Sequence, residues 1–229
     1  YLKREDLQPT HSFKIRGAYN KIAHLYQSKK ISEVVTASAG NHAQGVAYSA
    51  KELGIKATIF MPKTTPLIKV NAVRDLKAKV VLVGNNFDDA LNESKKFCKK
   101  NKVNFIHPFD DPLVIAGQGT VGLEISEQFP ENLYAVFVAV GGGGLIAGIG
   151  AYLDVAHPNV KIIGVEAADS AGLHASMNAG KRVKLKEVGL FADGAAAKQI
   201  GKNNYELIKE FLDDSITVDT DEICAAVKD

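Results

Sequence analysis

Residues 135–152, "AVFVAVGGGGLIAGIGAY", run from a strand pattern through four consecutive glycines into a helical pattern. Glycine lets the backbone adopt positive φ angles and approach a ligand closely, and four in a row are costly unless something uses them. Consecutive backbone N–H groups ahead of a helix N-terminus form a site for an anion. Gly141 to Gly144 therefore indicate a phosphate-binding turn, with a tightly packed or flexible turn as the alternative. No Lys follows at the spacing of an ATP-binding P-loop.

The same order of strand, turn and helix recurs along the chain and decides the fold class. Apolar strand patterns alternate with amphipathic helical patterns, which predicts an α/β fold of parallel strands joined by right-handed crossovers. The predicted strands are 33–38, 56–61, 79–84, 103–108, 135–141 and 160–166, and the predicted helices are 41–53, 66–76, 87–100, 117–129, 145–156 and 170–179. Ligands of such sheets bind at the carboxyl ends of the strands, so the turns that follow the strands are the candidate sites.

A second turn of this kind lies in "TASAGNHAQG", residues 36–45. Small residues and exposed N–H groups at a helix N-terminus suit a carboxylate. The predicted binding residues are those of the turn: Ser38, Ala39, Gly40, Asn41 and His42. An ordinary Ser or Asn helix cap is the alternative for the turn, and a structural hydrogen-bonding role is the favoured interpretation of His42.

The third candidate is Lys14, in "THSFKIRGAY" at residues 10–19. Thr10 or Ser12 can cap a helix, and apolar residues recur at helical spacing at Ile15, Tyr19, Ile22 and Tyr26. A helix N-terminus and burial beside Phe13 both disfavour an ammonium group, and so favour a neutral, nucleophilic amine. A solvated surface lysine is the alternative.

Composition excludes several classes of protein. The 229 residues are 46% hydrophobic and 24% charged, with a net charge of +2, which gives no basic face for nucleic acid or for a membrane surface. No apolar run approaches membrane-spanning length. Cys98 and Cys224 do not form a disulfide framework, and we expect free thiols in a reducing compartment. These features predict a protein of the cytoplasm, with a plastid or another organelle as the alternative.

An amine nucleophile, a phosphate turn and a carboxylate turn together indicate pyridoxal 5′-phosphate chemistry on an amino acid. The amine can hold the cofactor's aldehyde, the glycine turn can hold its phosphate, and the turn at 38–42 can hold the substrate carboxylate. A dinucleotide-binding protein is a weaker interpretation because the first strand lacks a G-x-G-x-x-G turn.

Several motifs carry a family resemblance over the whole chain. "KREDLQPTHSFKIRGA", "SAGNHAQG", "VIAGQGTVGLEI", "VGGGGLIAG" and "GLFADGAAAKQIG" resemble the fold-type II pyridoxal-phosphate enzymes, which are tryptophan-synthase-β-like, and among them the threonine dehydratases. The resemblance implies two lobes of mainly parallel twisted sheet with helices on both faces. The larger, cofactor-binding lobe would comprise 1–33 and 113–229, and the smaller one 34–112.

The resemblance also implies roles for individual residues. Lys14 matches the Schiff-base lysine, with Phe13 against the cofactor ring, and Asn41 matches the residue that bonds the ring oxygen. The family's phosphate-binding residues match Gly141, Gly142, Gly143, Gly144 and Leu145. The family's loop that binds the substrate carboxylate matches the turn at 38–42. The freed Lys14 amine would remove the Cα proton, and threonine would give 2-oxobutanoate and ammonia.

Residues that differ from those of related enzymes indicate which reaction of the family to expect. Serine racemases carry a serine at the position of Ala39, so elimination is favoured over racemisation. Metal-binding relatives pair the equivalent of Glu166 with a carboxylate six residues later, where this chain has Gly172, so no metal is expected. His11 resembles the biosynthetic enzymes, which act towards isoleucine and carry a regulatory domain that binds it. A serine dehydratase or racemase, or a non-catalytic fragment, are the alternatives.

The chain ends and the partners give further expectations. The chain begins without Met at a strand-like "YLK" and stops inside an apparent helix, so we expect an excerpt truncated at both ends. The partner of the cofactor's pyridine nitrogen would then lie beyond residue 229. The expected partners are an amino-acid substrate and further copies of the chain in a homo-oligomer, with no nucleic acid and no membrane.

Overall fold

The computed structural model describes residues 1–129, 133–189 and 191–228. Leu190, which falls in one of the motifs quoted above, lies outside the described residues. The helices are α1 Lys14–Lys29, α2 Asn41–Glu52, α3 Leu67–Asp75, α4 Phe87–Asn101, α5 Pro112–Gln128, α6 Gly144–Ala156, α7 Gly172–Asn178, α8 Lys202–Phe211 and α9 Thr220–Lys228. The strands are β1 Glu33–Ala37, β2 Lys56–Met61, β3 Lys79–Leu82, β4 Asn104–Phe105, β5 Ala135–Ala139, β6 Lys161–Ala167 and β7 Asp214–Val218. Short 3₁₀ helices lie at Glu5–Leu7 and Ala168–Ser170.

The chain forms two compact units, Tyr1–Pro108 and Phe109–Asp229. The division differs from the expected one, because α1 packs with α2 and the sheet of the first unit. The assignment of 1–33 to the lobe of 113–229 in the complete protein stays a prediction.

The first unit is a four-stranded parallel sheet in the order β3-β2-β1-β4. Side chains alternate between its two faces, as the pleat of a strand requires. Val34 and Ile59 pack with α1, α2 and α3 on one face. Val35 and Phe60 pack with Ala90 of α4 on the other. The predicted α/β class, with helices on both faces of a parallel sheet, is confirmed.

The strand order reverses between β1 and β4. In parallel α/β sheets the connections on either side of such a reversal leave in opposite directions, and ligands bind in the crevice that opens at the carboxyl ends of the two strands. The turn 38–42 follows β1, and residues 106–108 follow β4. The fold of the first unit therefore places two candidate segments at its topological switch point.

The second unit is a three-stranded parallel sheet in the order β5-β6-β7. Val138 and Ile162 of the sheet pack with apolar side chains of α5, α6, α7 and α8. The glycine turn leaves the carboxyl end of β5 and enters α6 at Gly144. None of the described helices is both long and apolar enough to cross a membrane.

Several predicted elements differ in detail. Residues 1–3 form no strand, and α5 begins five residues before its predicted start, at Pro112. Asp111 caps that helix by accepting hydrogen bonds from the N–H groups of Leu113 and Val114 at 2.9 and 3.3 Å. Both cysteines are free, as predicted.

Candidate active site

Lys14 is the first residue of α1, and its amine is held by a hydrogen bond to a residue far away in the sequence. Ser12 Oγ accepts a hydrogen bond from the Lys14 N–H at 3.3 Å. The N-cap of α1 is Phe13, however, so neither Thr10 nor Ser12 is the cap residue that the sequence predicted. The Lys14 Nζ donates to the carbonyl of Pro108 at 3.2 Å. It also lies 5.0 Å from the centre of the Phe13 ring, within the range of a cation–π contact. Lys14 is therefore a fixed, partly buried lysine.

Gly45 explains why Lys14 is held so closely against α2. A Cβ at Gly45 would lie 3.1 Å from the Lys14 carbonyl carbon, from its oxygen and from the Ile15 nitrogen. A side chain at this position would force the two helix backbones apart by a few tenths of an ångström. The sequence analysis did not single out Gly45, which lies within an otherwise ordinary helical pattern.

Burial lowers the pKa of Lys14 from its ordinary value of 10.5 to about 8. An ammonium group loses its hydration when it is buried, and the neutral amine does not suffer this loss. The direction agrees with the prediction from the sequence. A lysine with this pKa presents a substantial fraction of neutral, nucleophilic amine near neutral pH.

The lowered pKa predicts how stability depends on pH in the cofactor-free protein. The unfolded chain keeps the Lys14 proton up to about pH 10.5, whereas the folded protein releases it near pH 8. The unfolded state therefore binds more protons between these values, and the stability of the folded protein should rise with pH across the window. Urea unfolding of the natural protein and of Lys14→Met measures the effect. The unfolding free energy of Lys14→Met minus that of the natural protein should fall from pH 8 to 10.5. A difference that is constant with pH would contradict the lowered pKa.

The turn at 38–42 presents backbone donors that have no acceptor among the described residues. The Gly40 N–H bonds Ser38 Oγ at 3.2 Å, and the Ser38 N–H bonds the Phe60 carbonyl at 3.1 Å. The N–H groups of Ala39, Asn41 and His42 donate to no other described residue. Asn41 is exposed, and a Cβ at Gly40 would meet no atom within 4 Å. Free donors at the start of α2 suit a carboxylate.

His42 is buried beside the same turn. Its Nε2 lies 3.1 Å from the Ile106 carbonyl oxygen, which can only accept, so Nε2 carries the proton. Burial, and secondarily the Lys14 charge, lowers the pKa of His42 to about 3. The imidazole is therefore neutral, and its Nδ1 has no partner in the part of the chain that the structure describes. Ile106 directly follows β4, and a hydrogen bond of this kind is compatible with the structural interpretation of His42, which stays a prediction.

The glycine turn is packed from behind by its own unit. A Cβ at Gly141 would lie 2.5 Å from the Ala195 carbonyl oxygen, and one at Gly142 would clash with atoms of the Phe109 ring. Gly143 has a φ of 88°, which favours glycine. Tight packing, which the sequence analysis treated as an alternative to phosphate binding, is thus a real reason for these glycines.

Packing does not use the donors of this turn. Among the described residues, the N–H groups from Gly141 to Ile146 find no acceptor, and Leu145 lies in the first turn of α6. Six consecutive free donors where a strand gives way to a helix form a cradle that a phosphate fits. Close packing on one side of the turn leaves these N–H groups available on the other side, so the same glycines can serve both packing and anion binding.

Glu166 has an internal role. Its carboxylate is buried and accepts hydrogen bonds from the N–H groups of Leu173 and His174, both at 2.8 Å. Burial raises the pKa of Glu166, although these hydrogen bonds oppose the rise. The carboxylate thus caps the start of α7.

The candidate residues are divided between the two units. Phe13, Lys14 and residues 38–42 belong to the first, and Gly141 to Leu145 belong to the second. The sequence analysis missed Pro108, which accepts from Lys14 across 94 residues, and Asn204, which bonds the glycine turn across 62. Neither carries a local sequence signal.

A parallel α/β fold with a buried amine, and with two turns whose N–H groups have no acceptor among the described residues, is the arrangement expected of an enzyme of pyridoxal-phosphate chemistry. The family model for pyridoxal-phosphate dependent enzymes matches residues 1–229, and the chain belongs to this family, with pyridoxal phosphate as its cofactor. The chain is 53% identical to the biosynthetic L-threonine dehydratase IlvA of Burkholderia multivorans and 56% identical to the mitochondrial threonine dehydratase of Schizosaccharomyces pombe. All of this chain is matched in both comparisons, but only 46% and 38% of those proteins.

Solved structures agree with this membership. The processed form of threonine deaminase isoform 2 from Solanum lycopersicum superposes with a TM-score of 0.96 at 47% identity, covering 100% of this chain and 66% of that one. Maize serine racemase superposes with a TM-score of 0.93 at 34% identity, covering 98% of this chain and 68% of that one. The predicted fold-type II architecture is therefore confirmed, and the chain spans less than half the length of the two curated relatives.

Proposed function

We propose that the natural protein dehydrates and deaminates L-threonine to 2-oxobutanoate and ammonia, with L-serine as a secondary substrate. The observation that carries the proposal is Lys14, a buried amine with a lowered pKa in the same unit as a turn of free backbone donors. The names of the relatives at 53% and 56% identity support threonine as the substrate and a biosynthetic role towards isoleucine.

We assign the cofactor to residues of both units. Lys14 would bond its aldehyde, Phe13 would lie against its ring, and Asn41 would bond its ring oxygen. The phosphate would accept from the free N–H groups of Gly141 to Leu145. When bound, pyridoxal phosphate supplies an electron sink for the electron pair left at the substrate's Cα.

The chain's own residues have two tasks in this scheme. The free N–H groups of the 38–42 turn bind the substrate carboxylate and so fix which Cα bond is broken. The Lys14 Nζ accepts the Cα proton as a general base, for which a pKa near 8 is well suited. The hydroxyl group leaves from Cβ as water, and a later hydrolysis consumes one water, so threonine yields 2-oxobutanoate and ammonia in balance.

Product analysis separates this proposal from the serine-directed alternatives. We expect kcat/KM for L-threonine to exceed that for L-serine by about tenfold, because one buried methyl group is worth roughly 10- to 200-fold in selectivity. Ala39 offers no side-chain proton donor, so D-serine should not accumulate from L-serine. Coupled assays for 2-oxobutanoate and pyruvate measure the first ratio, and chiral chromatography measures the second. Racemisation as fast as elimination would favour a serine racemase, to which the superposition on the maize enzyme lends weight.

The partners and the compartment follow from the same assignment. We propose a homo-oligomer that acts in the cytoplasm, and light scattering of the natural protein measures its mass. The relative from Schizosaccharomyces pombe is named as mitochondrial, which supports an organelle as the alternative compartment. Regulation by isoleucine stays a prediction from His11.

A further inference from the structure

Asn204, in the first turn of α8, is a buried polar residue that the scheme above does not use. Its side chain is fully buried. Its Nδ2 donates to the Gly142 carbonyl at 2.7 Å and to the Phe109 carbonyl at 3.2 Å. Two carbonyl acceptors fix the orientation of the amide, because the opposite orientation would bring oxygen against oxygen.

The remaining atom of this amide indicates what the residue is for. Asn204 Oδ1 is buried and has no partner among the described residues. An unpaired buried acceptor is costly, so a packing role alone would favour an apolar side chain here. Asn204 is therefore present for its two donors, and the shorter of the two bonds goes to the glycine turn.

A second donor from the same helix end reinforces the first. The Gly201 N–H also bonds the Gly142 carbonyl, at 3.0 Å. Asp110 holds this helix end in place by accepting from the N–H groups of Lys202 and Asn203 at 2.9 and 2.8 Å. A Cβ at Gly201 would lie 2.7 Å from Asp110 Cγ and from Asn204 Nδ2, so a side chain there would displace one of the two groups that make these contacts.

Holding one carbonyl fixes the direction of the next N–H group. The peptide group between Gly142 and Gly143 is planar and trans, so its C=O and N–H point in opposite directions. Two donors hold the Gly142 carbonyl towards the start of α8. The Gly143 N–H must then point away from α8, and it is one of the donors without an acceptor in the described structure.

We propose that Asn204 is a positioning residue for the cofactor's phosphate: it fixes the Gly142–Gly143 peptide so that the Gly143 N–H faces the anion. Asn204 itself does not touch the cofactor. This inference rests on the proposed assignment of the phosphate to the glycine turn, and it adds the residue that orients one of its donors.

The test compares pyridoxal phosphate with pyridoxal, which has the same aldehyde and ring but no phosphate. Dissociation constants of both are measured on the natural full-length protein freed of cofactor, and on Asn204→Leu, which has a similar volume and no donors. The Kd of pyridoxal phosphate should rise about tenfold, which is what losing one well-placed hydrogen bond costs. The Kd of pyridoxal should change by less than about twofold, because pyridoxal does not use the turn.

The neighbouring residue provides a matched control. Asn203→Leu changes the same residue type one position earlier, where the side chain is exposed, and both dissociation constants should stay as in the natural protein. Should Asn204→Leu fail to fold, Asn204→Ser gives the same comparison, with a smaller side chain whose hydroxyl is too short to reach both carbonyls.

The outcomes separate this inference from the proposed function. An equal loss of affinity for both ligands, or no loss for either, overturns the positioning role of Asn204. A natural protein that binds pyridoxal as tightly as pyridoxal phosphate overturns the assignment of the phosphate to the glycine turn. A selective loss of affinity for pyridoxal phosphate in the Asn204 variant, with no change in Asn203→Leu, supports both the positioning role and the phosphate assignment.

Discussion

Lys14→Ala should abolish turnover of L-threonine, with a fall in kcat of at least about a thousandfold. The variant removes both the amine that would bond the cofactor and the base that would take the Cα proton, and general-base catalysis alone contributes roughly 10²- to 10⁴-fold. The lowered pKa and the fixed position of the Lys14 amine on the Pro108 carbonyl are the physical reasons for choosing this lysine among the others.

Borohydride reduction and peptide mapping show which lysine bonds the cofactor, without a measurement of turnover. The cofactor should be fixed on the peptide that contains residue 14 of the natural protein, and no fixed cofactor should be found in Lys14→Ala. Lys29→Ala is the matched control, because Lys29 is exposed at the other end of the same helix. An adduct on another lysine, or a Lys14→Ala enzyme with near-normal turnover, would show that Lys14 has no role in the chemistry.

Gly142→Ala should damage both stability and cofactor binding. The added Cβ would clash with atoms of the Phe109 ring, so the turn or the ring must move. Overpacking of this kind costs about 1–3 kcal/mol of unfolding free energy, and the displaced turn would lose the alignment of its donors. Urea unfolding and titration with pyridoxal phosphate measure the two effects.

Gly194→Ala is the control for the Gly142 variant. Gly194 lies in the same unit, and a Cβ there would meet no atom within 4 Å. Its change in unfolding free energy should stay within about 0.5 kcal/mol. Adding Phe109→Ala to Gly142→Ala should cost less than the sum of the two single changes, because the ring that clashes has been removed. Strict additivity would show that the ring is not what the new side chain meets.

The local parts of the site were predictable from the sequence because they depend on short-range patterns. Ser12 and the apolar positions Ile15 and Ile22 predicted a helix that begins near Lys14, and both isoleucines are buried. Tyr19 and Tyr26 share that spacing but are 44% and 42% exposed. Their spacing alone cannot distinguish a core position from the boundary of the apolar face, where tyrosine can keep its hydroxyl in water.

The remaining parts of the site depend on contacts between distant residues. A parallel sheet joins segments that lie far apart in the chain, so the pairing of β1 with β4 brings the Ile106 carbonyl to His42. The contact of Asp110 with the start of α8 spans more than 90 residues. The start of α5 was predicted wrongly for a different reason. Asp111 and Pro112 form a local cap signal, but the prediction followed the apolar periodicity, which placed the start at residue 117.

The residues between β4 and α5 limit how the length of this protein can change during evolution. Ile106 and Pro108 supply the carbonyls that hold His42 and Lys14, and the next two residues, Phe109 and Asp110, back the glycine turn and cap α8. Surface connections usually tolerate inserted or deleted residues, but four residues of this connection each make one of these contacts. An insertion or deletion here would shift the anchors of one candidate site or the other, so homologues that keep the chemistry should keep the length of this stretch unchanged.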